Sequence, residues 1–179
     1  RQQLHDASRD ICDLIAAKLV FVDLRTPFLH QLYLPSPDQN DLRAVLRQMN
    51  SRLGAVVRCV PRQPTRSQIV TAIFRACVQT LEVVLRYGGP RRVFSPADSP
   101  VVSRDFALLQ DFFLARDAAG VPQGVPAREV AEISHPLAQL TALMHCSSED
   151  IATQLEPLEG GNGPTTTPMG EADQRQTLA

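Results

Sequence analysis

From Thr65 to Tyr87 the chain places an apolar residue at nearly every third or fourth position, and Gly88-Gly89-Pro90 then breaks the pattern. Ile69, Ile73, Ala76, Cys77, Leu81, Val84 and Leu85, with Thr80 among them, share one face, while Val70, Val78 and Val83 put apolar groups on others. A helix apolar nearly all round must be central, because every apolar stripe needs a partner to cover it. Glycine can take the left-handed conformation that ends a helix, and proline cannot continue one. The break therefore predicts a C-cap and a reversal of the chain.

The partners are supplied by the same period elsewhere. Leu42, Val45, Leu46, Met49, Leu53, Val56, Val57 and Val60 form a regular stripe, with Ser36-Pro37-Asp38 as its start signal and Pro61 and Pro64 around the turn that follows. Leu4, Ile11, Leu14, Ile15, Leu19 and Val22 predict an opening amphipathic helix, with a kink or fresh start at Thr26-Pro27 and a stop at Pro35. Ser95-Pro96, with Ser99-Pro100 as a competing start, opens a helix carrying Val102, Phe106, Leu109, Phe112 and Phe113. After a Gly/Pro loop come Val130, Ile133, Leu137, Leu140, Leu143 and Met144, and then Ile151 and Leu155 behind a Ser147 or Ser148 cap. His135-Pro136 predicts a kink there. Aromatics are 5% of the chain with no Trp, so the core is aliphatic, which suits helix-on-helix packing. No period-two strand pair with a hairpin turn is present, and no internal repeat stands out.

The expected fold is thus all-α, an antiparallel multi-helix bundle over residues 1–156. Residues 157–179, rich in Gly, Thr and Pro, are expected to be a disordered tail, since they cannot bury enough apolar surface to offset backbone ordering. No consecutive apolar run approaches the ~20 residues that cross a bilayer. The chain begins at Arg1 rather than Met, which is compatible with a segment of a longer protein.

Cys12, Cys59, Cys77 and Cys146 are far apart and lie on or beside apolar stripes, so they read as buried thiols of a reducing compartment. No phosphate loop, dinucleotide fingerprint, nucleophile elbow or zinc-protease motif occurs. His5, His30, His135 and His145 have no ligand spacing on one helix face, so no catalytic, cofactor or metal residues are assigned. The one hydrolytic option is a spatially assembled Cys–His pair, Cys146 with His145 or His5. The chain is expected not to be an enzyme.

Charge is unevenly placed although the net is −1. Residues 41–92 hold ten Arg against two acids, a balance of +8, while residues 93–179 hold four Arg against twelve acids, a balance of −8. Seventeen Arg to one Lys is the pattern of a GC-rich genome and is no sign of phosphate binding by itself. The plain reading of the dipole is that the two halves pair or are solvated. The functional reading is a basic patch of Arg43, Arg47, Arg58, Arg62 and Arg91 for an anionic lipid or acidic protein surface, each near-surface cation contributing ~1 kcal/mol.

The stretch from Leu81 to Pro122 carries a more specific pattern: Gly88, Gly89, Pro90, Arg92 and Phe94, then Asp98, Asp105, Phe106, Leu109, Phe113, Gly120 and Pro122. Upstream stand Leu19-Val20-Phe21-Val22-Asp23 and Leu32-Tyr33. In this order, over about residues 18–156, the chain resembles the C-terminal MUN homology region of plant Unc-thirteen-like proteins, the type associated with delivering a proton pump to the plasma membrane. Val121 stands where that pattern has Leu, and the loop from Asp117 to Val125 is longer. The N-terminal MUN portion, which animal relatives use to engage syntaxin, and a C2 domain are not within these residues, so neither syntaxin opening nor calcium dependence follows. In this motif Phe94, Phe106 and Phe113 are expected to cover the end of the long helix.

The resemblance implies a helical tethering or scaffolding module in vesicle trafficking and exocytosis. It would be cytoplasmic and peripherally associated with vesicles or the plasma membrane. Its implied partners are SNARE or tethering proteins and an anionic membrane surface, with no nucleic acid, cofactor or small-molecule substrate. The alternative is a helical nucleic-acid-binding or regulatory domain that uses the basic 41–92 segment, against which stands the lack of aromatics interleaved with the arginines.

Overall fold

A computed structural model describes residues 2–34, 41–88, 92–120, 123–147, 149–150 and 152–153. The expected tail and the Ser36-Pro37 start signal lie outside them. The described residues are helical and contain no strand, as the periodicity predicts. The helices are α1 (Gln2–Ala17), α2 (Leu42–Cys59), α3 (Gln63–Tyr87), α4 (Ser99–Leu114) and α5 (Ala127–Leu143). Two wide-turn π-helical segments, Lys18–Asp23 and Thr26–His30, follow α1, and a 3₁₀ turn, Pro96–Asp98, leads into α4. One compact unit runs from Arg1 to Cys146, and a second begins at Ser147. In the second unit the Asp150 carboxylate accepts from the Ser147 amide and hydroxyl at 3.1 and 2.7 Å, the cap anticipated there.

α3 is the central helix. Ile69, Ile73, Phe74, Cys77, Leu81 and Val84 are all buried, and the helix packs on α1, α5 and both π-segments. Each such side chain contributes roughly 1.5–3 kcal/mol on burial. Its 25 residues and mean hydropathy of 1.4 meet the length and composition of a membrane span, which counting consecutive apolar residues did not reveal. Here other helices take that apolar surface. Three buried hydroxyls are satisfied within their own helix: Thr80 donates to the Ala76 carbonyl at 2.7 Å, Ser134 to Val130 at 2.6 Å and Thr141 to Leu137 at 2.8 Å.

Two prolines fall where helices tolerate them, and a third lies inside a helix. Pro64 sits in the first turn of α3 and Pro100 in the first turn of α4, where the missing amide has no intrahelical partner to lose. α5 runs through Pro136 as one helix from Ala127 to Leu143. Asp41 caps α2, accepting from the Arg43 amide at 3.2 Å.

Three expectations are corrected. First, α1 buries Cys12 and Ala16, and leaves Leu4, Ile11 and Leu14 exposed. The small residues allow close approach to α3, and that approach selects the face. Beyond Ala17 the period itself changes. The Leu24 amide donates to the Leu19 carbonyl at 3.0 Å, an i−5 bond that widens the turn, so Leu19, Leu24, Phe28 and Leu32 face inward while Val22 faces out. Second, Cys12 and Cys77 are buried, but Cys59 is exposed at the end of α2 and Cys146 is partly so. Third, Gly88 has φ −58°, which any residue adopts, and not the left-handed conformation. It must be glycine because a Cβ there would lie 2.6 Å from the Val84 carbonyl oxygen and 2.8 Å from Arg92 Cδ.

Candidate functional site

Arg92 explains that close approach. Its Nε donates to the Leu32 carbonyl at 2.7 Å and its Nη2 to the Leu29 carbonyl, so one guanidinium fork satisfies the chain at the exit of the Thr26–His30 segment. Partial burial holds this guanidinium below its ordinary pKa. Two residues on, Phe94 meets Tyr33 edge to face, with centroids 5.8 Å apart. Ser95 and Asp98 then cap the 3₁₀ turn: the Asp98 carboxylate accepts from the Ser95 amide and hydroxyl, both at 2.8 Å, and these bonds hold it below the usual carboxyl range. Gly88, Arg92, Phe94 and Asp98 therefore tie the end of α3 to the segment after α1 and to the start of α4. Gly89, Pro90 and Arg91 lie outside the described residues.

The aromatic part of the motif is placed differently from expectation. Phe113 packs on Phe74, centroids 5.0 Å apart, in the middle of α3 and not over its end. Phe106 is half-buried against the core, and Phe94 packs on Tyr33. Asp105 is buried on α4 and paired with Arg104 at 3.1 Å. Burial raises its carboxyl above the ordinary value, opposed by Arg104 and the Tyr33 hydroxyl. The Tyr33 hydroxyl is itself buried without a regular hydrogen-bond partner, and burial followed by the Asp105 charge pushes its phenol up. Tyr33 also has φ 59°, a strained value for an aromatic residue. The cluster joins the segment after α1 to α4, with Asp105 buried and Arg104 reaching solvent.

α4 and α5 run antiparallel. Ser99 Oγ lies 2.7 Å from His145 Nε2 at one end, and Gln110 donates to Ser134 at 2.9 Å further along. Ser99 is buried, and the contact ties the start of α4 to the residues just beyond α5. Cys146, just beyond α5, directs its Sγ to the Ala142 carbonyl at 3.9 Å. No cluster of metal-ligating side chains occurs among the described residues.

The arginines divide into two groups. Arg43 and Arg47 stand one turn apart on α2 and border a groove of about 250 Å³ with Asn50, over a floor of Leu46, Leu108 and Phe112. Arg58, fifteen residues after Arg43, is about 22 Å away along the helix axis by the 1.5 Å rise per residue. It and Arg62 are exposed at the α2–α3 turn, so the arginines of the predicted patch are spread along the length of α2. Among the described residues, no ion pair joins the basic segment to the acidic one. Arg52 pairs with Asp23 at 3.5 Å and Arg75 with Asp13 at 3.3 Å, both partners lying in the first 40 residues. Arg43, Arg47, Arg58 and Arg62 have no ion pair among the described residues. Leu108, which sequence reasoning missed, sits four residues before Phe112; that i, i+4 apolar pair was the available signal.

A larger cavity of about 510 Å³ lies between α1, α3 and the start of α5. Its charged lining is largely engaged: Arg75 with Asp13, Glu129 with the Thr71 hydroxyl at 3.3 Å, and Arg66 with the Val60 carbonyl. At its edge the chain folds back on α4. The Val125 and Gly124 amides donate to the Phe113 and Leu114 carbonyls at 2.8 and 3.0 Å, and a Cβ on Gly124 would collide with the Phe113 oxygen.

Comparison with known proteins places this arrangement among relatives. A family model described as PATROL1-like, TPR repeats matches residues 1–176. Such repeats are helix-turn-helix units, a periodicity not evident in the sequence. A curated protein described as a protein unc-13 homolog, from Arabidopsis thaliana, is 33% identical over 133 residues, which is 74% of this chain and 12% of that protein. The chain thus spans about an eighth of that relative's length. No solved structure matches.

Proposed function

The chain belongs to the PATROL1-like family, and on that premise we propose that it is a helical scaffolding module of vesicle trafficking, which tethers by binding and carries out no chemical step. The observation that carries the reading is the set of arginines on α2 and at the α2–α3 turn, exposed and without counter-charges among the described residues, on a rigid helical frame. The likeness to an Unc-13 homolog supports trafficking as the setting. The frame built around Arg92, Phe94 and Asp98 supports a structural role for the motif residues, leaving recognition to the α2 surface. The expected partners are trafficking proteins at the cytoplasmic face of vesicles or the plasma membrane, with anionic lipid as a second contact.

The test is charge reversal of Arg43, Arg47, Arg58 and Arg62 in the full-length protein, with folding checked by circular dichroism. Surface delivery of the plasma-membrane proton pump should fall. Unchanged delivery overturns the reading. In parallel, co-sedimentation with anionic liposomes should drop, and identical sedimentation removes the lipid contact.

A further inference from the structure

We infer that the groove between α2 and α4 is a docking site for an acidic amphipathic helix of a partner protein, whose apolar anchor enters between Leu46, Leu108 and Phe112 while its carboxylates pair with Arg43 and Arg47. This deepens the reading of the chain as an interaction module and rests on it.

The size of the groove sets the class of occupant. At about 250 Å³ it is smaller than the ~300–1,000 Å³ clefts that enclose small-molecule ligands, and it suits one or two side-chain anchors. Leu46 is buried at its base, and Leu108 and Phe112 are half-buried on the α4 side, so an entering side chain meets apolar atoms on both sides. Interfaces draw most of their energy from such anchors in small pockets ringed by polar groups.

The rim sets the sign of the partner. Arg43 and Arg47 are four residues apart, which puts their Cβ atoms about 5–6 Å from each other on one face. A helix with two acids one turn apart presents the same spacing, and guanidinium–carboxylate forks are the strong form of such pairing. Both arginines are exposed, and neither forms an ion pair among the described residues. Arg104, on the same α4 face as Leu108 and Phe112 but one turn earlier, is already held by Asp105 and so does not compete. Asn50 adds an amide that can donate or accept.

The same geometry disfavours a bilayer as the occupant. The cations stand at the edge of a concavity whose floor is Leu46, Leu108 and Phe112. A flat anionic surface brought against Arg43 and Arg47 gains nothing from the recessed floor. A helix lying in the groove uses both the floor and the arginine edge.

The experiment is a fluorescence anisotropy titration of the purified chain with a labelled helical peptide bearing a leucine flanked by two glutamates one turn apart, and with its counterpart in which lysines replace the glutamates. The acidic peptide should bind about tenfold or more tighter. Arg43→Glu with Arg47→Glu should erase that preference, Asn50→Arg should increase it, and chemical-shift changes in ¹⁵N-labelled protein should fall on residues 43–50 and 108–112. Absence of binding, equal binding of the two peptides, or shifts mapping elsewhere overturns the proposal. So does sedimentation with phosphatidylserine vesicles that depends on Arg43 and Arg47 without peptide discrimination, which assigns the site to membrane. Peptide discrimination with unaltered cargo delivery in the reversed variant would remove the trafficking reading and leave the groove standing. Impaired delivery without discrimination would remove the groove alone.

Discussion

Replacing Arg92 by Met should unfold the junction between α3, α4 and the segment after α1 more easily than any other surface-accessible substitution in the motif. The guanidinium donates to two part-buried carbonyls, Leu32 and Leu29, that lie about sixty residues earlier in the chain. Hydrogen bonds from a charged donor are worth about 1.5–3 kcal/mol each. Water replaces part of that at a half-exposed site, and Met retains the apolar stem, so the net loss is about 2–3 kcal/mol. For a unit of this size each kcal/mol moves the melting midpoint by about 2–4 °C, which gives a drop of about 4–12 °C by circular dichroism. Arg92→Lys keeps the charge but loses the fork, and should recover about half. Gly88 provides an internal control, since its missing Cβ leaves room for Arg92 Cδ and Cβ, at 2.8 and 2.9 Å from the site where that Cβ would stand. Gly88→Ala should therefore cost less in an Arg92→Ala background than in the wild type, because the Cδ contact is gone. A midpoint for Arg92→Met within about 1 °C of wild type, below what even a 0.5 kcal/mol loss gives, would refute the stapling role. Additive costs in the cycle would refute the steric link.

Two further outcomes test the core. Phe113→Ala should cost about 3–5 kcal/mol, because its ring is buried against Phe74, whereas half-buried Phe106→Ala should cost clearly less; chemical denaturation that reverses this order would show that α4 presents another face. Asp105 is a buried carboxyl whose folded pKa is raised, so its contribution is fully present below the ordinary value of 3.8 and is lost as pH rises through the folded value. Asp105→Asn should flatten that part of the stability–pH curve, and an unchanged slope in pH-dependent melts would assign it to other groups.

The helical period made α2 and α3 legible. Leu42, Val45, Leu46 and Met49 are buried as their spacing predicts, and α3 is central because it is apolar on more than one face. The Ser95–Asp98 and Ser147–Asp150 caps were readable for the same reason, since a cap is a contact between residues three apart. α1 was misread because it offers two candidate faces. Counting large aliphatics favours Leu4, Ile11 and Leu14, while close packing on α3 favours Cys12 and Ala16. The groove was half legible: Arg43 and Arg47 announce their common face, but Leu108 joins them only once α4 lies beside α2.

Composition, spacing and local stop signals were enough to establish helices, their order and the Ser95–Asp98 and Ser147–Asp150 caps, because those depend on residues within a turn or two of each other. Tertiary structure alone decided which face of α1 is covered, why residue 88 must lack a side chain, and which arginines share a groove. These depend on groups tens of residues away, and no local period records which distant partner will arrive. A glycine required by another side chain's approach looks, in the chain, the same as one required by a left-handed turn.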